Sequence, residues 1–339
     1  MYLLTGGAGF LGGTVLRVLL SRGEKVRVLV LPGDPLANQL PENTEICTGD
    51  LLNEEDLDRF FCLEKGETAT VIHCASLISM SLSPVDKVYE VNVKGTANII
   101  ARSLADNIKS LIYISSVHAI EELPRGQSMA EPSITNPDKV IGCYAKTKAQ
   151  AAALVMRARQ EKGLKASIVY PSGLCGPGDN ATGNLTQLFL DYFAGKIPVG
   201  VRGGYNFVDV RDVAEAIVNL AQQAQSEGDY IMAGEYIEVM DILDAFHRLS
   251  GGKKIRFICP IWLAKLALPI LSLSYKIRKI KAIFSRYALK TITFNSRFNS
   301  DKAKRDLHFH PRPMEQTLKD TAQWLKSQGR IHIKAGSVI

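Results

Sequence analysis

The sequence predicts an α/β fold: a doubly wound parallel sheet covered by helices, followed by a smaller, mostly helical C-terminal part. Three observations carry this. Short apolar runs alternate with helical patterns of ordinary length over the first 230 or so residues. A glycine triplet, Gly6, Gly9 and Gly12, stands between the first apolar run and the first helical pattern. After Gly234 the pattern turns mostly helical and basic.

The elements follow in order. Tyr2 to Leu4 is a short apolar run, and Val15, Leu16, Leu19 and Leu20 mark a helix that ends at Gly23. Val26 to Leu31 reads as a buried strand stopped by Pro32 and Gly33. Glu45 to Cys47 and Thr70 to Cys74 read as strands around a helix from Asn53 to Leu63. Asn92 to Ala105 is expected as helix, Leu111 to Ser115 as strand, Tyr144 to Lys162 as an Ala-rich helix and Ala166 to Tyr170 as strand. Runs that are apolar throughout, rather than alternating, suit strands buried on both faces, which is the condition of a parallel sheet. The loops thicken over 121–142 and 171–206, where a substrate pocket has room to form. Residues 1–170 are therefore expected to bind a dinucleotide, with 206–233 returning to that unit. Residues 171–205 and 234–330 are expected to bind substrate, leaving 331–339 as a tail.

With 339 residues, 46% hydrophobic and 22% charged, the chain is ordinary for a folded protein, and disorder is excluded as its dominant state. Its 6 cysteines form no C-x-x-C pair, which argues against a zinc ribbon or disulfide scaffold and suits a reducing compartment. No metal is expected. The start MYLLTGG shows no export signal, and the apolar run near Leu266 to Tyr275 is broken by Pro269, so a cytoplasmic protein is expected. The net charge of +7 is uneven: Lys253 to Lys334 carries +15 and the rest −8. Between Lys253 and Ser300 no acidic residue occurs, and the basic ones interleave with Trp262, Leu263, Leu266, Ile270, Leu271, Ile280 and Phe284. Such a stretch serves as a substrate-covering lid with a solvated face, as peripheral membrane contact through 258–289, or as a site for an anionic ligand. Nucleic acid is not expected, because no base-reading module is visible.

The glycine triplet has the strand–turn–helix context that phosphate binding requires. The first glycine permits the tight turn, the second lets the backbone approach a pyrophosphate, and the third allows close helix–strand packing. This marks the sheet as Rossmann-type. At the end of the second strand an acidic residue would bind the ribose of NAD, and an arginine the phosphate of NADP. Val30 and Leu31 do neither, and the missing arginine tilts the expectation to NAD. Asp50 in GDLLN reads either as a contact for the adenine edge or as a turn residue.

Y-x-x-x-K places a tyrosine and a lysine one helical turn apart on one face. The ammonium is expected to lower the phenol's pKa, making a proton donor or acceptor for a carbonyl/alcohol pair. Three such pairs occur: Tyr144/Lys148, Tyr192/Lys196 and Tyr275/Lys279. Context selects the first. Tyr144 opens a long helix, and the strand before it ends in Ser115-Ser116 at the sheet's carboxyl edge, where such folds bind ligands. Ser116, preferred over Ser115, would orient the substrate oxygen. His118 is expected as a satisfied loop residue and Cys143 as a small packing residue.

With these residues in hand, the chain resembles the extended short-chain dehydrogenase/reductase family, of the NAD-dependent epimerase/dehydratase type. TGGAGFLG, GDLLN, HCAS, NVKGT, ISS and YAKTK are similar to that family's successive motifs, and the likeness runs over nearly the whole chain. YPSGLCGPGD lacks the arginine usual in sugar-nucleotide epimerases, while GGYNFVDVRDVAEA and the ending SDKAKRDLHFHPRPMEQTLKDTAQWL resemble the dihydroflavonol-reductase and 3β-hydroxysteroid-dehydrogenase branch. The resemblance implies catalysis by Ser116, Tyr144 and Lys148. It implies cofactor contact from Gly6, Gly9, Phe10, Leu11 and Gly12 in the loop, and from Asp50 and Leu51 on the adenine side. Cys74, Ala75, Ser76, Asn92, Tyr144, Lys148, Pro171 and Ser172 complete the implied cofactor site. The implied reaction is NAD(P)-dependent hydride transfer on an apolar ring alcohol or ketone, with nucleotide-sugar epimerisation as the alternative. A homodimer through the Asn92 and Tyr144 helices is also implied.

Overall fold

The computed structural model describes residues 1–223, 228–266 and 286–332. Tyr275/Lys279, much of the 258–289 segment and most of the 331–339 tail lie outside those residues. The strands of the first half are β1 (Tyr2–Thr5), β2 (Val26–Val30), β3 (Glu45–Thr48), β4 (Ala69–His73), β5 (Ile108–Ile114) and β6 (Ala166–Pro171). Then come β7 (Gly173–Cys175), β8 (Gly200–Val201), β9 (Gly204–Asp209), β10 (Gly228–Met232), β11 (Glu235–Glu238) and β12 (Ile258–Cys259). The helices are α1 (Phe10–Ser21), α2 (Glu54–Phe61), α3 (Asp86–Tyr89), α4 (Gly95–Arg102), α5 (Cys143–Lys162), α6 (Asn184–Phe193), α7 (Val210–Gln222), α8 (Val239–Ser250), α9 (261–266), α10 (Arg286–Thr291), α11 (Asp301–Leu307) and α12 (Met314–Ser327).

Seven strands build one parallel sheet in the order β10-β6-β5-β4-β1-β2-β3. Successive strand residues point to opposite faces, so each strand feeds two cores. Leu3, Val71 and Leu111 pack toward α4 and α5, while their neighbours Leu4, Ile72 and Ile112 pack toward α1 and α7. The alanines of α5 explain its close approach: Ala145, Ala149, Ala151 and Ala152 are fully buried, and larger side chains would hold the helix away from the sheet. A third core, around Phe189, Phe246, Leu318 and Leu325, joins α6, α8 and α12. β7, β9 and β11 form a small sheet, and β8 pairs with β12.

One helix starts earlier than expected. It begins at Asp86 rather than Asn92, and runs through a π turn at Glu90–Lys94 before continuing as α4. Asn92 is buried, a polar residue in the middle of this longer helix. The topology makes β1 and β4 neighbours although they are distant in the chain. Strand order reverses there, and the crevice at their carboxyl ends is where doubly wound sheets hold a ligand.

Candidate active site

The glycine loop lies in that crevice. Gly6 adopts φ +71, and a Cβ there would fall 2.7 Å from the Ala75 nitrogen. A Cβ on Gly12 would fall 2.2 Å from the Gly6 carbonyl oxygen. α1 starts at Gly9 with no side-chain cap and no acidic residue in its first turn. The N–H groups of Phe10, Leu11 and Gly12 therefore present an uncapped positive helix end, and the loop fits a dinucleotide's pyrophosphate.

Across the crevice, the Cys74 N–H donates to the Thr5 carbonyl and the Ala75 N–H to Thr5 Oγ1. His73 sits behind them, fully buried between Thr5 Oγ1 (2.6 Å) and Thr96 Oγ1 (3.0 Å). Burial, with Lys148 nearby, holds its imidazole down at about 3, so it is neutral. Asn92 gives its whole amide to protein groups. Its Oδ1 accepts from Ser76 Oγ and the Leu77 N–H, and its Nδ2 donates to the Leu77 carbonyl and Thr147 Oγ1. It pins the 76–77 loop to α5, and it can do so because the π turn aims it inward.

In the turn after β3, Asp50 Oδ1 accepts from the Leu52 N–H, while Leu51 packs beside Gly95. At the end of β2, Leu31 is exposed, and Asp34 uses Oδ1 on the Leu36 N–H of its own turn.

β5 delivers Ser115 and Ser116 to the carboxyl edge. Ser116 Oγ accepts from the His118 N–H at 3.3 Å, and Tyr144 stands in the first turn of α5. Burial raises the Tyr144 phenol to about 12, opposed by a hydrogen bond with the Ser116 hydroxyl. Lys148 is buried; its ammonium donates to the Ile114 carbonyl at 2.6 Å and lies 4.7 Å from the Tyr113 ring centroid. Burial lowers Lys148 to about 7, with the Cys74 thiol opposing. The expected pull of Lys148 on the Tyr144 phenol is therefore corrected: here the lysine turns to the β5 carbonyl, and burial dominates the tyrosine. At the end of β6, Pro171 and Ser172 are buried, and Ser172 Oγ has no partner among the described residues. A buried orphan hydroxyl at the ligand edge fits a polar group supplied by a cofactor.

The surroundings of Tyr144 are apolar and aromatic. The Cys143 N–H donates to the Ser81 carbonyl, tying α5 to a loop that exposes Leu77, Ile78 and Leu82. Cys143 itself is buried, as expected of a packing residue. His118 does more than satisfy a loop. Its Nε2 lies 3.0 Å from the Tyr205 hydroxyl, and the two rings stack at 5.5 Å. Its Nδ1 lies 3.4 Å from the Tyr287 hydroxyl, and its ring meets Tyr144 edge-on at 6.1 Å. Gly142, at φ +97, makes room for Tyr287: a Cβ there would fall 2.5 Å from its ring. Sequence reasoning missed the roles of Tyr205, although it stands in the quoted GGYNFVDVRDVAEA, and of Tyr287, which carries no local motif. Tyr192 is structural, donating to the Lys253 carbonyl from the end of α6.

A family model described as "NAD dependent epimerase/dehydratase family" matches residues 2–233. A Synechocystis sp. protein bearing a dihydroflavonol 4-reductase name is 28% identical over 340 residues, covering 97% of this chain and 96% of that protein. A sterol-4-alpha-carboxylate 3-dehydrogenase (decarboxylating) of Schizosaccharomyces pombe is 27% identical over 339 residues, covering 95% and 96%. The crystal structure of gox2253 superposes with a TM-score of 0.83 at 30% identity, covering 98% of this chain and 99% of that one. Family match, overall likeness and crevice geometry agree, and the chain belongs to the NAD-dependent epimerase/dehydratase family.

Proposed function

We propose that this chain is an NAD(P)-dependent dehydrogenase/reductase acting on a secondary alcohol or ketone of an apolar ring substrate. The observation that carries the reading is a half-buried Tyr144 beside Ser116, next to a buried lysine and under an apolar lip at the crevice where the glycine loop fits a dinucleotide. When bound, the nicotinamide supplies or accepts the hydride. Tyr144 handles the accompanying proton at the substrate oxygen, and Ser116 orients that oxygen by hydrogen bonding. A phenol held near 12 is protonated at neutral pH, so the arrangement is poised to donate a proton to a ketone. For the reverse direction Lys148 must lower that value, which requires its ammonium to leave the Ile114 carbonyl for the tyrosine side. His118, Tyr205 and Tyr287 wall the site with aromatic surface suited to fused rings.

Residues 1–170 and 206–233 hold the cofactor in this reading, and 171–205 and 234–330 cover the substrate. The absence of an arginine at Leu31 favours NAD over NADP. The enzyme is cytoplasmic, pairs into a homodimer through α4 and α5, and meets a membrane surface through 258–289. Nucleotide-sugar epimerisation is the second reading, because the matched family includes epimerases. The apolar lip and the missing arginine in YPSGLCGPGD speak for the ring substrate.

Tyr144→Phe tests the assignment. It is expected to lower turnover by at least 10²-fold while leaving cofactor affinity, read by fluorescence titration, nearly unchanged. Retained turnover would sink the role given to Tyr144.

A further inference from the structure

We infer that the face formed by residues 253–266 docks onto a bilayer rich in anionic lipid. The face narrows the membrane contact of the proposed function to named residues and a lipid class. It rests on exposure and charge alone, so vesicle binding and turnover fail independently of one another.

α9 is built inside out for a surface helix. Among its described residues it buries a small one, Ala264, against Val201 and Leu289, and leaves Trp262, Leu263 and Leu266 outside. Trp262 is 65% exposed and Leu266, one turn on, is 67% exposed, with Leu263 beside them. Just before the helix, Phe257 is 62% exposed and Ile258, on the strand that pairs with β8, is also open to solvent. A water-facing surface gains nothing from this arrangement, because the open apolar area stays hydrated.

Lys253, Lys254, Arg256 and Lys265 are exposed among these apolar groups, and none of them forms an ion pair with another described residue. No acidic residue occurs anywhere from Lys253 to Ser300. Cations around protruding Trp, Phe and Leu are the chemistry of an interfacial anchor: the apolar groups enter the headgroup–acyl boundary and the cations meet anionic headgroups. A protein partner would need acidic and apolar surface in a fixed pattern. A bilayer supplies both without one, and it is also the phase in which an apolar ring substrate dissolves.

The test is sedimentation of the full chain with vesicles of phosphatidylcholine alone and of phosphatidylcholine with phosphatidylglycerol. The expected result is binding to the anionic vesicles that weakens as salt rises, with a blue shift of tryptophan emission that Trp262→Phe removes. Trp262→Ser with Leu266→Ser is expected to weaken binding at least tenfold. Lys254→Glu, Arg256→Glu and Lys265→Glu should each weaken it roughly fivefold or more. These side chains lie on the surface, so melting curves are expected to match the parent's. No vesicle binding, equal binding to neutral and anionic vesicles, or binding untouched by the variants would overturn the inference. So would a Trp262→Ser, Leu266→Ser chain that loses an oligomeric state while the parent ignores vesicles, since the face would then join copies of this chain.

Discussion

At the residue scale the decisive feature is a lysine buried with its ammonium on a backbone carbonyl. Lys148 titrates at about 7 in the fold against its ordinary 10.5, because burial penalises the charge. The unfolded chain therefore binds this proton more readily than the native one between those two values, and stability rises with pH across that window. Below about 7 the full cost of the buried charge is present, and above about 10.5 it is gone. Lys148→Met is thus expected to stabilise the cofactor-free protein at pH 6 by on the order of 2–4 kcal/mol, with the gain shrinking toward pH 10. Thermal unfolding across that range reads it directly; a gain that does not shrink would contradict the buried charge. A site that keeps a destabilising group in place is what catalysis requires of one.

At the element scale, three separated segments converge on Tyr144. The turn after β5 contributes His118, β9 contributes Tyr205 and α10 contributes Tyr287, and Gly142 leaves the space that Tyr287 fills. Burial holds the His118 imidazole at about 4, so it is neutral and bonds both hydroxyls without bringing a charge. His118→Ala is expected to raise the substrate KM about tenfold, the cost of roughly 1.4 kcal/mol, and to leave cofactor affinity unchanged. A lowered cofactor affinity with unchanged KM would place the histidine on the wrong side of the site. This cluster also marks where sequence reading stops. The glycine loop, the serine pair and Y-x-x-x-K are legible because backbone geometry within one turn enforces their spacing. Tyr205 and Tyr287 meet His118 only through the tertiary fold. The π turn escapes notice for a related reason: Asn92 is a buried polar residue whose four bonds all run to other segments or to the 76–77 loop. The orientation of Lys148 is equally invisible, since i,i+4 spacing puts it beside Tyr144 whichever way its stem turns.

At the scale of the whole molecule, the sheet was readable because parallel strands buried on both faces are nearly continuous apolar runs, broken in VRVLV only by Arg27 and unbroken in LIYI. The joining of its two parts was not, because it rests on a polar hub. Asp209, fully buried at the start of α7, accepts from the Arg211 N–H and guanidinium and from Thr317 Oγ1 of α12, while Arg211 also holds Asp320. Burial alone would raise the Asp209 carboxyl, but the Arg211 guanidinium and the hydrogen bonds hold it below the ordinary carboxylate value. Its contribution to stability is therefore present above that ordinary value and is lost as pH falls through the native one. Asp209→Asn is expected to cost about 3 kcal/mol at pH 7, with the gap to the parent closing below about pH 4; a gap that persists in acid would exclude the charge as its source.

The account's central claim is net hydride transfer on an apolar ring. Its most direct test is nicotinamide absorbance during incubation of the purified chain with NAD or NADP and a 3β-hydroxysteroid or its ketone, with nucleotide sugars as controls. Stoichiometric reduction or oxidation of the cofactor with the ring substrate, faster with NAD, is the predicted result. A nucleotide sugar that interconverts with no net change in the cofactor would contradict it and make the chain an epimerase.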